Sequence, residues 1–307
     1  MPAGDGLADG LVDAMDDLGG IETSQTTRTP ASSPVPAPRR ARVVDRAVAT
    51  RLLPRGELSP FQRWFRHWFS RTLSAILMRL WFRVTVEGRE HFQDRPCLYA
   101  FNHLGWMDPL AMLATFPSKP RLYFYGPKEE NMLIGTKNRF MWWTGIPVPF
   151  SPHKDDLRES VRRAQAVFDS GGSLAIAPEG RIHVHEGDLL PLEEGAAYLA
   201  LRAQVPIVPV AISGTSSGRF RGPLRVRIGP PIETSGVRPT RGAIAHFSAR
   251  SWHAIRAMVD GDGPLLPPGR LGRWLTDSFN DWGEGGREGA ASVRGPDPAD
   301  VPIPPLD

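Results

Sequence analysis

Short apolar runs and helical patterns alternate along the middle of the chain. Runs typical of buried strands, such as residues 97–101, 173–177 and 207–212, are separated by stretches whose apolar residues recur at helical spacing. The most regular of these stretches begins at Asp155, a typical N-cap residue, and is followed by two glycines that are typical of a helix end. Strands that alternate with helices predict an α/β fold, in which a layered sheet is flanked by helices.

A second pattern precedes this region. Ser59 and Gln62 match a capping box around Pro60, and aromatic and aliphatic residues then recur at helical spacing, interrupted by basic residues. Arginine recurs too often for a spanning helix, which needs about 20 largely apolar residues. We predict an amphipathic membrane-interface helix over 56–82, whose aromatic face enters the headgroup boundary while its arginines meet lipid phosphate. The alternative is that the aromatic face packs against the α/β domain.

The ends of the chain have the composition of disordered segments. Residues 1–55 are rich in Pro, Ala, Ser, Thr and charge, and residues 284–307 are rich in Gly and Pro, so we expect disorder in both. The α/β domain is assigned to 83–235 and is followed by C-terminal helices over 236–283. The acidic first twenty residues lack an apolar run, so no secretory signal is predicted.

The formal net charge of +4 is unevenly distributed. Acidic residues cluster before residue 23, and a belt of arginines follows between residues 39 and 79. Such a belt suits anionic lipid headgroups or nucleic acid. No nucleic-acid-binding module is recognisable, and the aromatic residues follow a helical stripe, so nucleic acid is not predicted as a partner. The single cysteine, Cys97, excludes an internal disulfide and fits a reducing compartment.

The candidate chemistry lies in the block NHLGWMD, residues 102–108. His103 and Asp108 directly follow a predicted strand, and a separation of five does not place two side chains on one face of a straight helix. We therefore expect a loop that bends into a helix at Asp108 and Pro109. In that geometry Asp108 accepts from one imidazole nitrogen while the other faces a hydroxyl group, as in a general base and its orienting carboxylate.

Two further blocks follow in order, APEGR at 177–181 and VPIVPV at 205–210. Together with NHLGWMD they resemble the glycerolipid acyltransferase family, whose best-known member makes phosphatidic acid from lysophosphatidic acid. The resemblance covers roughly residues 82–232 and implies that His103 and Asp108 are catalytic. It also implies that three residues belong to the glycerol-phosphate site of the acceptor: Glu179, Gly180 and Arg181.

The chain departs from the family's pattern at one position. Aligned on Gly145, Ser151 occupies the place of an arginine that binds the acceptor phosphate in the family, and Lys154 follows just beyond. Lys154 is a candidate phosphate contact, although lysine lacks the guanidinium fork. The acceptor is then a lysophospholipid or a lipid without phosphate. Asn102 is expected to shape the turn before His103 and is a candidate donor to the substrate.

The resemblance implies an O-acyltransferase of phospholipid biosynthesis, similar to 1-acylglycerol-3-phosphate O-acyltransferases. Its acyl donor is expected to be acyl coenzyme A or acyl carrier protein, and no cofactor is expected. No nucleophile-elbow motif is present, which favours direct transfer over a covalent acyl-enzyme. With membrane lipids as partners, the expected location is peripheral, at the cytoplasmic face of the cell membrane. The sequence predicts no oligomeric state.

The main alternative is a metal-dependent hydrolase. His103 and Asp108 would then join further ligands from one later segment: His183, His185, Glu186 and Asp188. The H-x-H pair supports this alternative, but neither a helical H-x3-H pattern nor a cysteine cluster accompanies it. We therefore predict that no metal is bound.

Overall fold

A computed structural model describes residues 52–128, 135–150, 154–260, 267–280, 282 and 285–306, with the backbone alone at 127–128, 135–137 and 154–156. Its centre is a seven-stranded sheet in the spatial order β1-β7-β6-β2-β5-β3-β4. Neighbouring strands are parallel except β6 and β7, which are antiparallel. The strands are β1 (Arg83–Glu87), β2 (Leu98–Phe101), β3 (Leu122–Lys128), β4 (Pro147–Phe150), β5 (Ser173–Ile176), β6 (Ile207–Ser213) and β7 (Pro223–Ile228).

Helices cover both faces of the sheet, because successive side chains of a strand point to opposite faces. Leu98 and Ala100 of β2 join a core with α4, α5 and α6, whereas Tyr99 and Phe101 join a core with α1 and α2. The predicted layered α/β fold is therefore confirmed. The helices are α1 (Pro60–Trp81), α2 (Asp108–Thr115), α3 (Gly135–Thr144), α4 (Lys154–Asp169), α5 (Gly195–Ala203), α6 (Arg241–Val259), α7 (Arg270–Phe279) and α8 (Gly286–Ser292).

Helix α1 packs on α2, buries a mostly polar stripe and leaves most of its aromatic residues exposed. The capping box of Ser59 and Gln62 is present as predicted. The alternative, in which the aromatic face packs on the domain, does not occur in the described structure. The buried stripe consists of Arg63, His67, Ser70, Ser74 and Met78. The exposed apolar residues are Phe61, Trp64, Phe65, Trp68, Ile76, Leu77 and Leu80.

The sequence predicted that the arginines of α1 meet lipid phosphate, but three of them form hydrogen bonds within the protein. Arg63 donates to the carbonyl oxygens of Pro54 and Arg55. Arg66 donates to the carbonyl oxygen of Trp143 and lies 4.9 Å from the centroid of its ring. Arg71 donates to the carbonyls of residues 116–117, which end α2. These three side chains are held because they satisfy backbone acceptors within the protein.

The structure also differs from the prediction at the chain's ends. Leu53, inside the segment 1–55 predicted to be disordered, is buried in the core, while residues 1–51 lie outside the described structure. The segment 284–307, predicted to be a disordered tail, includes α8 and packs on α6. There His246 and His253 bond to the carbonyls of Pro304 and Val301, contacts that its composition does not reveal. No helix of the described chain is long and apolar enough to cross a membrane.

Candidate active site

The candidate site lies where three neighbouring strands end. Strands β6, β2 and β5 are adjacent and parallel, so their carboxyl ends meet at one edge of the sheet. His103 follows β2, Glu179 follows β5 and Thr215 follows β6. In open α/β sheets this edge is where ligands bind. The topology thus brings together residues that are up to 112 positions apart in the sequence, from His103 to Thr215.

His103 and Asp108 form the pair that the sequence predicted. Nδ1 of His103 lies 2.9 Å from Oδ2 of Asp108, and the same oxygen accepts from the backbone amides of Leu104 and Gly105 at 2.7 and 2.8 Å. Thr215 donates to Oδ1 at 2.6 Å. Asp108 begins α2, where a negative charge is favoured by the helix dipole. These contacts fix the fully buried carboxylate in one orientation.

The imidazole ring is only partly enclosed. The side chain of His103 is 26% exposed, whereas that of Asp108 is completely buried. A carboxylate only accepts, so the pairing places the proton of neutral His103 on Nδ1 and leaves Nε2 as an acceptor. No residue of the described structure hydrogen-bonds to Nε2. The geometry is that of a histidine which can take a proton from a hydroxyl group.

Glu179 holds the backbone of His103 in place. Its Oε1 accepts from the backbone amide of His103 at 2.6 Å, and its Oε2 accepts from the amide of Leu190 at 2.8 Å. Nε2 of His183 lies 3.0 Å from Oε2, and both side chains are fully buried. The resemblance placed Glu179 in the glycerol-phosphate site of the acceptor, whereas in the structure its buried carboxylate orders the loop of His103. Glu179 ties the end of β2 to the segment that follows β5.

Burial by itself disfavours a charged His183, but the adjacent Glu179 carboxylate outweighs it. Asp188 and Asp108 act in the same direction, so the pKa of His183 is raised above its ordinary value. The neighbouring carboxylate therefore favours the protonated form of His183. The sequence offered His183 only as a metal ligand, and its role beside Glu179 depends on a turn that no local pattern reveals.

Glu186 organises the loop that carries Thr215. Its carboxylate accepts from the backbone amides of Gly214, Ser216 and Ser217 and from the Ser216 hydroxyl. Burial raises the pKa of Glu186, although these hydrogen bonds favour its ionised form. The loop is consequently held by a buried acceptor, and Thr215 is held against Asp108. No sequence pattern singled out Thr215, because it lies 107 residues from Asp108.

Asn102 does not face a substrate. Its Nδ2 donates to the carbonyl of Ile212 at 2.9 Å, and its Oδ1 accepts from the amide of Ile212 at 2.7 Å. The side chain is fully buried, so the predicted donation to a substrate is corrected to a structural role. Strand β2 pairs with β6 as far as Phe101, and the Asn102 amide then replaces the peptide group that would continue the ladder.

Gly180, Arg181 and Lys154 were also predicted to contact the substrate. Gly180 has φ of 66°, a left-handed conformation that glycine adopts without strain, so it shapes the turn after Glu179. Arg181 is exposed beside that turn. Lys154 begins α4, and its side chain lies outside the described structure, as does the whole of Ser151. The structure therefore assembles His103, Asp108 and Glu179, and among the described side chains Arg181 makes no hydrogen bond to them.

The residues of the metal alternative are held by separate partners. His183 faces Glu179, and Glu186 faces the loop 214–217. His185 bonds to the carbonyl of Ala291, and Asp188 pairs with Arg256 at 2.9 Å. Within the described residues, no three His, Cys, Asp or Glu side chains converge as a metal site requires.

Comparisons with known proteins point to one family. The Acyltransferase family model matches residues 83–213. The chain is 32% identical over 207 residues to bovine 1-acyl-sn-glycerol-3-phosphate acyltransferase alpha, covering 62% of this chain and 70% of the bovine protein. It is 31% identical over 194 residues to the mouse protein of the same name, covering 59% of this chain and 66% of that protein. The matches thus span about two thirds of these relatives.

A solved structure shares the fold. The crystal structure of the 1-acyl-sn-glycerophosphate (LPA) acyltransferase PlsC from Thermotoga maritima superposes with a TM-score of 0.53 at 19% sequence identity. The match covers 71% of this chain and 93% of the Thermotoga chain. It therefore extends beyond residues 83–213, the interval that the family model matches.

Proposed function

Because the chain belongs to the glycerolipid acyltransferase family and is therefore an acyltransferase, we propose that it moves a fatty acyl group from an acyl thioester to the free hydroxyl of a lysophospholipid. Lysophosphatidic acid is the acceptor class that the names of the relatives favour. Acyl coenzyme A and acyl carrier protein both supply the thioester that the reaction needs. The product would be a diacyl phospholipid precursor.

The observation that carries this proposal is the orientation of His103. Nδ1 is engaged by Asp108, so Nε2 is the atom that meets the hydroxyl of the acceptor. As the hydroxyl oxygen attacks the thioester carbonyl, Nε2 takes its proton, and Asp108 stabilises the resulting imidazolium. General-base assistance of this kind contributes about 10² to 10⁴ in rate.

Collapse of the tetrahedral intermediate completes the reaction. The carbon–sulfur bond breaks, the ester carbonyl forms, and the departing thiolate takes the proton from the imidazolium. His103 returns to its neutral form, so no covalent acyl-enzyme is needed. The turn at Gly180 directs the chain towards the exposed Arg181, which we assign to the phosphate of the acceptor. Lys154 remains a second candidate for that contact.

The proposed location is the cytoplasmic face of the cell membrane, with α1 as the peripheral anchor. Four aromatic residues on its exposed face, including the 53% exposed Trp64, fit the headgroup boundary of a bilayer. An acceptor with a fatty chain is itself held in the bilayer. Docking of the enzyme would therefore bring its acceptor to the site in two dimensions.

The test is transfer from labelled acyl coenzyme A, or acylated carrier protein, to a panel of lysolipids with product identification by mass spectrometry. We expect lysophosphatidic acid to be acylated and monoacylglycerol, which lacks phosphate, to react poorly. His103→Ala should lower turnover at least 100-fold, whereas His91→Ala, a partly exposed histidine outside the site, should not. Near-normal turnover of His103→Ala would refute His103 as the base, and better use of monoacylglycerol would refute the phosphate-bearing acceptor.

A further inference from the structure

Helix α7 lies on the candidate active site although it follows the interval matched by the family model. Its inner stripe is small and polar, with Gly272, Thr276 and Asn280 buried at successive turns. A Cβ atom on Gly272 would collide with the carbonyl oxygen of Gly218. The helix therefore approaches the loop after β6 backbone to backbone, which fixes its distance from that loop.

The C-terminal end of α7 contacts the loop that carries His103. Oδ1 of Asn280 accepts from the backbone amide of Trp106 at 2.8 Å, and the rings of Phe279 and Trp106 lie 4.9 Å apart. A Cβ on Gly105 would come within 2.9 Å of the same Asn280 oxygen. Helix α7 thus contacts the catalytic loop at one end and, near its start, the loop that delivers Thr215 to Asp108.

The outer side of α7 carries two large apolar side chains among charged and polar ones. Leu271 is 55% and Trp274 61% exposed. The loop after β6 links α7 to α1: Gly218 packs against Gly272, and Trp81 of α1 donates from Nε1 to the carbonyl of Gly218 and meets the Phe220 ring edge-on at 5.4 Å. We call the exposed apolar residues of these three linked segments the α7 patch: Leu80, Phe220, Leu271 and Trp274.

The charges around the α7 patch indicate what covers it. Five exposed arginines are adjacent to its residues in the sequence: Arg79, Arg219, Arg221, Arg270 and Arg273. The exposed acidic side chain of α7, Asp277, is paired with Arg287 and lies 3.6 Å from Arg273. The surface is therefore apolar with a positive border, which complements an anionic lipid bilayer.

We propose that α7 is a lipid-docking helix that binds an anionic bilayer through Leu271 and Trp274 and positions the catalytic loop through Asn280. The second half of this proposal rests on the proposed function, and the first does not. Docking of α7 to lipid restrains the helix, and the restraint reaches the loop of His103 through the hydrogen bond to Trp106 and the Phe279 ring. Asn280 is thus a positioning residue that acts through Trp106.

Vesicle binding tests the docking directly. The full-length Leu271→Ser/Trp274→Ser variant is compared with wild type for sedimentation with phosphatidylglycerol vesicles. We expect a loss of about 100-fold in the partition coefficient, since burial of each such side chain is worth about a factor of ten or more. The matched control is Ile303→Ser/Leu306→Ser, which removes similarly exposed apolar residues from the tail that packs on α6, and we expect its partitioning to be unchanged.

Three outcomes would overturn the docking. Unchanged partitioning of the α7 variant would do so, as would an equal loss in the tail control. A change from dimer to monomer on size exclusion, with unchanged vesicle binding, would instead identify the α7 patch as a contact between copies of the chain. Both variants alter exposed side chains, so equal thermal unfolding temperatures should show that they fold.

The positioning role needs a kinetic readout. Asn280→Ala should lower kcat by about tenfold with little change in the KM for the acceptor, while Asn280→Asp, which keeps an acceptor oxygen, should recover most of kcat. The positioning role would be overturned if kcat of Asn280→Asp were no higher than that of Asn280→Ala. It would also be overturned if Asn280→Ala changed only the KM for the acceptor. If wild type binds vesicles as expected but transfers no acyl group, the proposed function fails and docking stands. If wild type is active and the α7 variant binds normally, docking fails alone.

Discussion

Replacing Asp108 by asparagine separates the charge of this side chain from its hydrogen bonds. Oδ2 accepts from His103, Leu104 and Gly105, so an amide oxygen must occupy that position. The amide nitrogen then faces the Thr215 hydroxyl, which donates to Oδ1 in the wild type and can accept from an amide instead. Asp108→Asn can therefore keep every contact and the tautomer of His103 while it removes the negative charge.

The magnitude follows from the charge alone. A carboxylate about 4 Å from the charge that develops on the imidazole stabilises it by about 4 kcal/mol at an effective dielectric constant of about 20. Each 1.4 kcal/mol is about a factor of ten in rate, so kcat should fall by about 10² to 10³. The wild-type pair is buried on the Asp108 side, which limits screening by solvent.

The assay is kcat at saturating acyl donor and acceptor, with thermal unfolding as the control for folding. Thr215→Val is the matched variant, because it removes one hydrogen bond to Asp108 and leaves the charge in place. We expect it to lower kcat by about tenfold or less. The charge would not be the main contribution of Asp108 if kcat of Asp108→Asn stayed within threefold of wild type. The same conclusion would follow if Thr215→Val lowered kcat as much as Asp108→Asn.

Three further predictions concern stability, each measured by urea unfolding. Asn102→Ala should lower the free energy of unfolding by about 2–6 kcal/mol, because both backbone groups of Ile212 lose a buried partner; a loss below 1 kcal/mol would contradict this. Wild type should have a higher free energy of unfolding than His183→Gln, by a difference that is fully present below about pH 6.5 and declines as pH rises through the raised pKa of His183. A difference that does not change with pH would contradict the pairing of His183 with Glu179. Burial, with Arg121 and Arg71, lowers the pKa of His67 to about 3, so wild type should lose stability relative to His67→Gln as pH falls from 6.5 towards 3, and parallel curves would exclude a neutral buried His67.

The alternation of strands and helices was predictable because buried parallel strands carry nearly continuous apolar runs. Strand β2, for example, is buried at all four positions. The pair of His103 and Asp108 was predictable for a different reason, since both residues lie in one short block whose spacing requires a bend. The order of the strands was not predictable, because alternation does not state which strands are neighbours.

Strand order explains what the sequence did not reveal in the site. Thr215 reaches Asp108 because β6 lies beside β2, and Glu179 reaches the amide of His103 because β5 lies on the other side. A carboxylate that follows a strand can face a ligand or a neighbouring loop, and its sequence is the same in both cases. For Glu179, the positions of the backbone amides of His103 and Leu190 show that its carboxylate faces a neighbouring loop.

Helix α1 shows why periodicity alone does not say which side of a helix faces inward. Most of its aromatic residues are exposed, and basic and polar residues that were expected at a lipid surface form most of the buried stripe. Arginine can face inward here because Arg71 donates to the carbonyls that end α2, where the helix dipole favours a cation, and Arg66 donates to the end of α3. Ser70 donates within α1 itself and admits close packing. Because these polar side chains of α1 find hydrogen-bond partners on its inner side, its aromatic side chains can remain exposed. An exposed apolar helix face of this kind is what binding to a lipid surface requires.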